Sequence, residues 1–281
     1  MGTHSKTLKI VVFVYLLTSC SFTGSLFFER IDKYLGNYIK EFTDFSEQQQ
    51  SQIDDFTRGY KEFLAKKELT KMRTILKELK GMNPANVETL LAATESHFRA
   101  FLETTNRYFE QHFVALSKTL TEAQVLQIKD YLSSTKDRNL NDKEQISFSK
   151  KVVDRYRRGF ERVGIRLDKN QTEMISRDSR HIHELASEWR EFQNDWTNDL
   201  SELLIRKNEP NFEDALILHL RRQNEIGDPN FRRRVEENRL IVIGVVVKIF
   251  HSLSPDQKKK FFQKLDFFIS IIDRIIERRS G

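Results

Sequence analysis

Sulfur, turn formers and strand-like runs are all scarce in this chain. Cys20 is the single cysteine in 281 residues, so no internal disulfide is available and the core alone must hold the fold. Ten glycines and four prolines leave few sharp turns, and glycines this scattered make no phosphate loop. A His-Glu-x-x-His motif is missing, and one cysteine cannot build a thiolate zinc site. Neither sign of charge dominates. The 47 basic and 41 acidic side chains give +6 and are interspersed, which suits solvated helix faces more than a nucleic-acid surface. No metal, cofactor or nucleic-acid partner is therefore expected.

What the chain does have begins with a leader. His4, Lys6 and Lys9 precede the apolar run Ile10–Leu17, and Thr18-Ser19 are small residues before Cys20. A basic start, an apolar run of about 7–15 residues and a small-residue cut site describe a signal peptide. The run falls far short of the ~20 residues that span a bilayer. Leu17-Thr18-Ser19-Cys20 resembles the lipobox of bacterial lipoproteins. That resemblance implies cleavage between Ser19 and Cys20, a diacylglyceryl thioether on the Cys20 sulfur and a palmitate-like acyl group on its new amine. Stable anchoring needs more than one chain, and this arrangement supplies three. Ser21, where aspartate often signals inner-membrane retention among such proteins, resembles the class sorted to the outer membrane. Residues 1–19 are thus read as a leader, 20–24 as a tether and 25–281 as the body. Loss of Lys6 and Lys9 leaves a mature charge of 6 − 2 = +4.

The body reads as all-α, built of long antiparallel helices in an extended bundle. Leu26 to Phe42 have helical spacing and form an aromatic-rich first helix near the membrane, with Phe27 and Phe28 facing either headgroups or core. A long helix from Ser46 ends at Gly81, whose left-handed backbone would close it. Asn83-Pro84 starts the next. The polar stretch from Ser133 to Glu144 predicts exposure or a break, with helix again from Ile146 to Val163. Asp168 opens a helix running to about Lys207, Asn211 a shorter one, and Gly227-Asp228-Pro229 is a turn. Two more helices end near Leu253 and Arg279.

Four helix starts share one device: Ser46 with Gln49, Thr121 with Gln124, Asp168 with Gln171, and Ser254 with Gln257. In each an apolar residue precedes a capping side chain and glutamine lies three positions on. This is a capping box or a close analogue, whose loss costs about 0.5–2 kcal/mol. Leu120 with Val125 offers a hydrophobic staple. The cap spacings, 121 − 46 = 75 and 254 − 168 = 86, allow two related halves dividing near residue 165. Leu120-Thr121-Glu122-Ala123-Gln124 also resembles the Leu-Thr-x-x-Gln motif of small helical periplasmic stress-response chaperones. A good helix start explains it without shared function.

The order and spacing of the features resemble the DUF6279 family of Gram-negative lipoproteins. They are the lipobox, Ile31-Asp32-Lys33-Tyr34-Leu35, Ser46-Glu47-Gln48-Gln49, the Leu120–Gln124 block and Leu253-Ser254-Pro255-Asp256-Gln257. The resemblance implies an exported, lipid-anchored helical protein and no established activity, so no catalytic residue follows from it.

Other candidates are local. His181 and His183 on a helix would point about 200° apart and share no ion. Trp189, Phe192 and Trp196 lie on one helix face as core or as an aromatic wall, beside Glu188, Glu191, Asp195 and Asp199. Arg221, Arg222, Arg232, Arg233 and Arg234 bracket Gly227 and form either a patch for lipid phosphate, lipopolysaccharide or an acidic partner, or ordinary helix ends. Three readings follow. The leading one is a non-enzymatic protein on the periplasmic face of the outer membrane, held by lipid on Cys20, that binds another protein or an envelope component, a chaperone-like holdase being one version. The second is a ligand-binding or enzymatic domain with a pocket around Trp189, Phe192, Trp196 and His183. The third is a spacer.

Overall fold

Eleven α-helices and no strand form among the described residues of this computed structural model, which are 27–137, 147–222 and 228–280. The first hairpin is α1 (Ile31–Lys40) against α2 (Glu47–Phe63). A π-turn over Leu64–Glu68 joins α2 directly to α3 (Leu69–Lys80). Next come α4 (Val87–Ser117), α5 (Glu122–Asp137), α6 (Phe148–Arg162) and α7 (Lys169–Asp178). A 3-10 turn, Ser179–His181, leads toward α8 (Ala186–Ile205) and α9 (Phe212–Arg222). Two long helices finish the body, α10 (Pro229–Ser252) and α11 (Pro255–Ser280). At 31 residues α4 is the longest of these, about 46 Å at 1.5 Å per residue. It lies at the centre, touching α2, α3, α9 and α10.

Three expectations are corrected. The helix opened by Asp168 stops at Asp178, and residues 182–185 lie outside any helix before α8 begins. A tertiary partner holds that break open: the Asn238 side chain accepts from the His183 backbone N–H at 2.7 Å and donates to the His183 carbonyl at 2.9 Å. These bonds replace the helical partners His183 gives up. Gly81 has φ −82°, outside the left-handed region, so α3 ends on plain turn bonds from Gly81 and Met82 to Glu78 and Leu79. The helix after Pro84 begins at Val87, because Asn83 and Asn86 cap a preceding turn instead, accepting from the Ala85 and Asn83 amides.

Apolar side chains gather in two clusters. One joins Phe28, Tyr60, Leu64, Met72 and Phe101 from the first half to Ile175, Ile249, Leu265 and Phe268 from the second. The other joins Phe45, Ile53 and Phe56 to Leu120, Val125, Leu200, Leu204 and Leu216. Each crosses residue 165, so a division there does not separate the packing. Leu120 and Val125, 1% exposed each, share the second cluster, as their staple spacing requires. Phe28 is fully buried and lies under the Arg279 guanidinium at 5.3 Å, so the beginning and end of the described chain meet. Burial of such a ring contributes about 1.5–3 kcal/mol. Arg279 also pairs with Glu29 and Glu62, and farther along α11 Asp273 pairs with Arg73 of α3 at 2.6 Å. Thus α11 runs antiparallel to α3.

No single helix among the described residues is long and apolar enough to cross a membrane. The pair α10 and α11 qualifies together but bends by 115° between them, and Val245, Ile249, Leu265 and Phe268 of that pair lie in the core.

Candidate functional site

The four shared helix starts form as their sequence spacing predicts. The side chains of Ser46, Thr121, Asp168 and Ser254 accept from the amides of Gln49, Gln124, Gln171 and Gln257 at 3.3, 3.2, 2.8 and 3.2 Å. Each glutamine Oε1 accepts in return from its cap residue's amide, at 2.9, 2.9, 3.0 and 2.9 Å.

The glutamines then do something their local spacing does not show. Gln49 and Gln124, 75 residues apart, face each other and exchange amide hydrogen bonds at 3.1 and 2.8 Å. Gln171 and Gln257, 86 apart, do the same at 3.0 and 2.8 Å. Each such clasp is tied down by three further bonds. Gln49 donates to the carbonyl and hydroxyl oxygens of Thr119, and Gln171 to those of Ser252. Gln124 donates to the Asp44 carbonyl at 2.9 Å, and Gln257 to the Arg166 carbonyl at 2.7 Å. In both clasps the acceptor lies five positions before the partner glutamine (119 and 252, 44 and 166). The same hydrogen-bonded motif is therefore used twice, offset by 171 − 49 = 122 at the first start and 257 − 124 = 133 at the second. Their amides committed to one another, these glutamines build the fold.

The aromatic face of α8 is engaged. Trp196 Nε1 donates to the His219 carbonyl at 3.2 Å, His219 Nε2 donates back to the Trp196 carbonyl at 3.0 Å, and the rings stack at 4.9 Å. Burial holds the His219 imidazole below its ordinary value. Trp189 packs edge-on to Phe192 and to the buried Phe231. His183 lies outside any helix, with Nε2 2.8 Å from Glu237. Among the described residues no group of three or more His, Cys, Asp or Glu could hold a metal ion.

The arginine cluster is largely paired. Arg221 makes a forked bond to the buried Glu110, with contacts of 3.2, 3.2 and 2.9 Å. Arg233 pairs with Glu237, and Arg234 with Glu188 at 2.6 Å. Arg233 and then His183 hold the Glu237 carboxyl below its usual range. Arg222 and Arg232 are exposed. Ser19, Cys20 and Gly227 lie outside the described residues.

An open cleft of about 350 Å³ lies between α3 and α4 and was missed in the sequence, where its walls read as core stripes. Met72, Ile75, Leu91, Phe98, Ala100 and Phe101 give it apolar walls, and Glu68, Lys71, Glu95 and His97 reach it from the polar side.

The sequence model of a family described as "Family of unknown function (DUF6279)" matches residues 41–232. No curated protein and no solved structure matches the chain.

Proposed function

The chain belongs to the DUF6279 family, and from that premise we propose that it is a lipid-anchored, non-enzymatic binding module on the periplasmic face of the outer membrane. Its partners are proteins or envelope components within reach of the bilayer. The main support is the position of Phe28. Cys20 and Phe27 are 27 − 20 = 7 residues apart, at most about 25 Å even when fully extended, and Phe28 is wedged into the core beside Arg279. A chain lipidated at Cys20 therefore carries its body close against the membrane, where a long tether would let it range. Exposed Leu126, Leu218 and Leu240 on three different helices offer apolar contact for a protein partner. The alternative pocket around Trp189 and Trp196 finds less support, since both rings are engaged in packing.

Labelling with radioactive palmitate tests the anchor: incorporation is expected in the native chain and none in Cys20→Ala. An unlabelled chain of unreduced size overturns the anchor. Crosslinked pull-downs of the two forms identify the partner, and the binding reading fails if the anchored form enriches nothing over Cys20→Ala. Suppression of client aggregation by the chain is the outcome that selects the holdase version.

A further inference from the structure

Glu68 is the most buried carboxylate in the molecule's described part to border open space. It is 2% exposed, yet it lines the α3–α4 cleft. The π-turn puts it there. The widened turn lets Glu68 and Leu69, adjacent in sequence, both face inward, and such turns often mark functional sites. Its one ion-pair partner among the described residues is Lys71, whose Nζ donates to Oε1 at 2.9 Å. The pair is lopsided: the Lys71 side chain is 63% exposed and that of Glu68 3%. The lysine can swing into water and keep its hydration, but the carboxylate cannot follow, and a buried carboxylate without a cation is strongly disfavoured.

We propose that the α3–α4 cleft binds a small amphipathic amine, its ammonium on Glu68 in place of Lys71 and its apolar body among Met72, Ile75, Leu91 and Phe98. Lys71 is then a built-in stand-in for the ligand's cation. The walls suit the rest of such a molecule. They are mainly apolar, the Phe98 and Phe101 rings lie 6.5 Å apart, and aromatic rings favour cations nearby. A volume of about 350 Å³ falls at the small end of ligand sites. Charge argues against an anion. The second carboxylate at the cleft, Glu95, is already answered by Arg99 at 3.2 Å and Arg239 at 2.7 Å, and the only lysine there is already on Glu68. The site does not depend on the lipid anchor, so the two readings stand or fall separately.

Calorimetric titration of the full chain with hexylamine, hexanol and hexanoate tests it. Hexylamine is expected to bind at least tenfold more tightly than hexanol, and hexanoate more weakly than either. Glu68→Gln should weaken hexylamine at least tenfold and leave hexanol unchanged. Lys71→Met keeps the apolar stem and removes the competing ammonium, so it should tighten hexylamine several-fold. This variant changes an exposed residue and stays informative if Glu68→Gln does not fold. Equal binding of the three probes, tighter binding of hexanoate, weakening by Lys71→Met, or no hexylamine binding overturns the proposal.

Discussion

At the Gln49–Gln124 clasp both side chains are buried, at 4% and 8% exposure, whereas at Gln171–Gln257 only Gln171 is, at 2%. The surroundings differ in the same sense. Beside the first clasp the α1–α2 loop stands off from α5 and side chains fill the gap. Phe42 stacks on Tyr131 at 4.8 Å, and Gln127 bonds to Thr43 and Asp44. The equivalent positions in the second half are Gly164 (42 + 122) and Lys264 (131 + 133). There the loop comes down onto α11 itself: a Cβ on Gly164 would lie 3.0 Å from the Lys260 carbonyl oxygen and 3.2 Å from Lys264 Cβ. Gly164 has φ +84°. One motif has thus been closed in two ways, by packed side chains and by backbone approach. Hydrogen bonds define the motif, and packing adapts around it.

Breaking the buried clasp should have the largest effect. Gln49→Leu removes five side-chain hydrogen bonds and leaves Gln124 facing an apolar group. A loss of about 3–5 kcal/mol is expected in urea unfolding, at roughly 0.5–1 kcal/mol per bond net of water. Gly164→Ala should cost about 1–2 kcal/mol through its backbone alone, more if the Lys260 carbonyl cannot give way. A thermal melt unchanged by this substitution would contradict the close approach. Gln257→Leu, at the half-exposed member of the second clasp, should cost about 1 kcal/mol, because water replaces part of what is lost. If it costs as much as Gln49→Leu, burial does not distinguish the clasps.

Acid separates the halves more subtly. Burial disfavours the Asp32 carboxylate, but the Lys61 hydrogen bond at 2.9 Å, neighbouring backbone amides and the Lys61 charge outweigh it and hold its pKa below the ordinary 3.8. The fold therefore binds this proton less readily than the unfolded chain does. The stability it contributes is present above pH 3.8 and is lost as pH falls through the lower folded value. Stability measured from pH 5 downward should fall less steeply in Asp32→Asn. Its counterpart, Asp154 (32 + 122), pairs at the surface with Arg157 at 3.2 Å. Arg157→Ala should change stability by no more than about 0.5 kcal/mol, the smallest effect of the series.

The helix starts were legible because a capping box is a local object: Asp168 and Gln171 specify each other within one turn of backbone. The clasps were not, because the second amide hydrogen of Gln171 finds Gln257 only after the chain has folded back across 86 residues. The break before α8 escaped for a similar reason. Nothing in His181-Ile182-His183-Glu184 is a helix breaker, and the competitor for its backbone is Asn238, 55 residues away. The all-α class followed from spacing, and the apolar stripes marked helices correctly. What they could not show was that Met72, Leu91 and Phe98 face one another across an open cleft and not a filled core. That distinction rests on how far α3 and α4 splay, which depends on α11 and α10 packed behind them.

The meeting of Phe28 with Arg279 has a mechanical consequence. Force applied through the amino-terminal segment reaches the body at Phe28, whose ring is held in the cluster that includes Ile249, Leu265 and Phe268. The pull is therefore resisted first by α2 and the far end of α11, the elements that hold Glu29 and Phe28 through Lys61 and Arg279. The cluster around Leu200 and Leu216 meets that path only farther on, through Ile53 and Phe56 of α2 and Ile39 of α1. Tension from that end would load α1 and α2 before it strained the helices α5, α8 and α9.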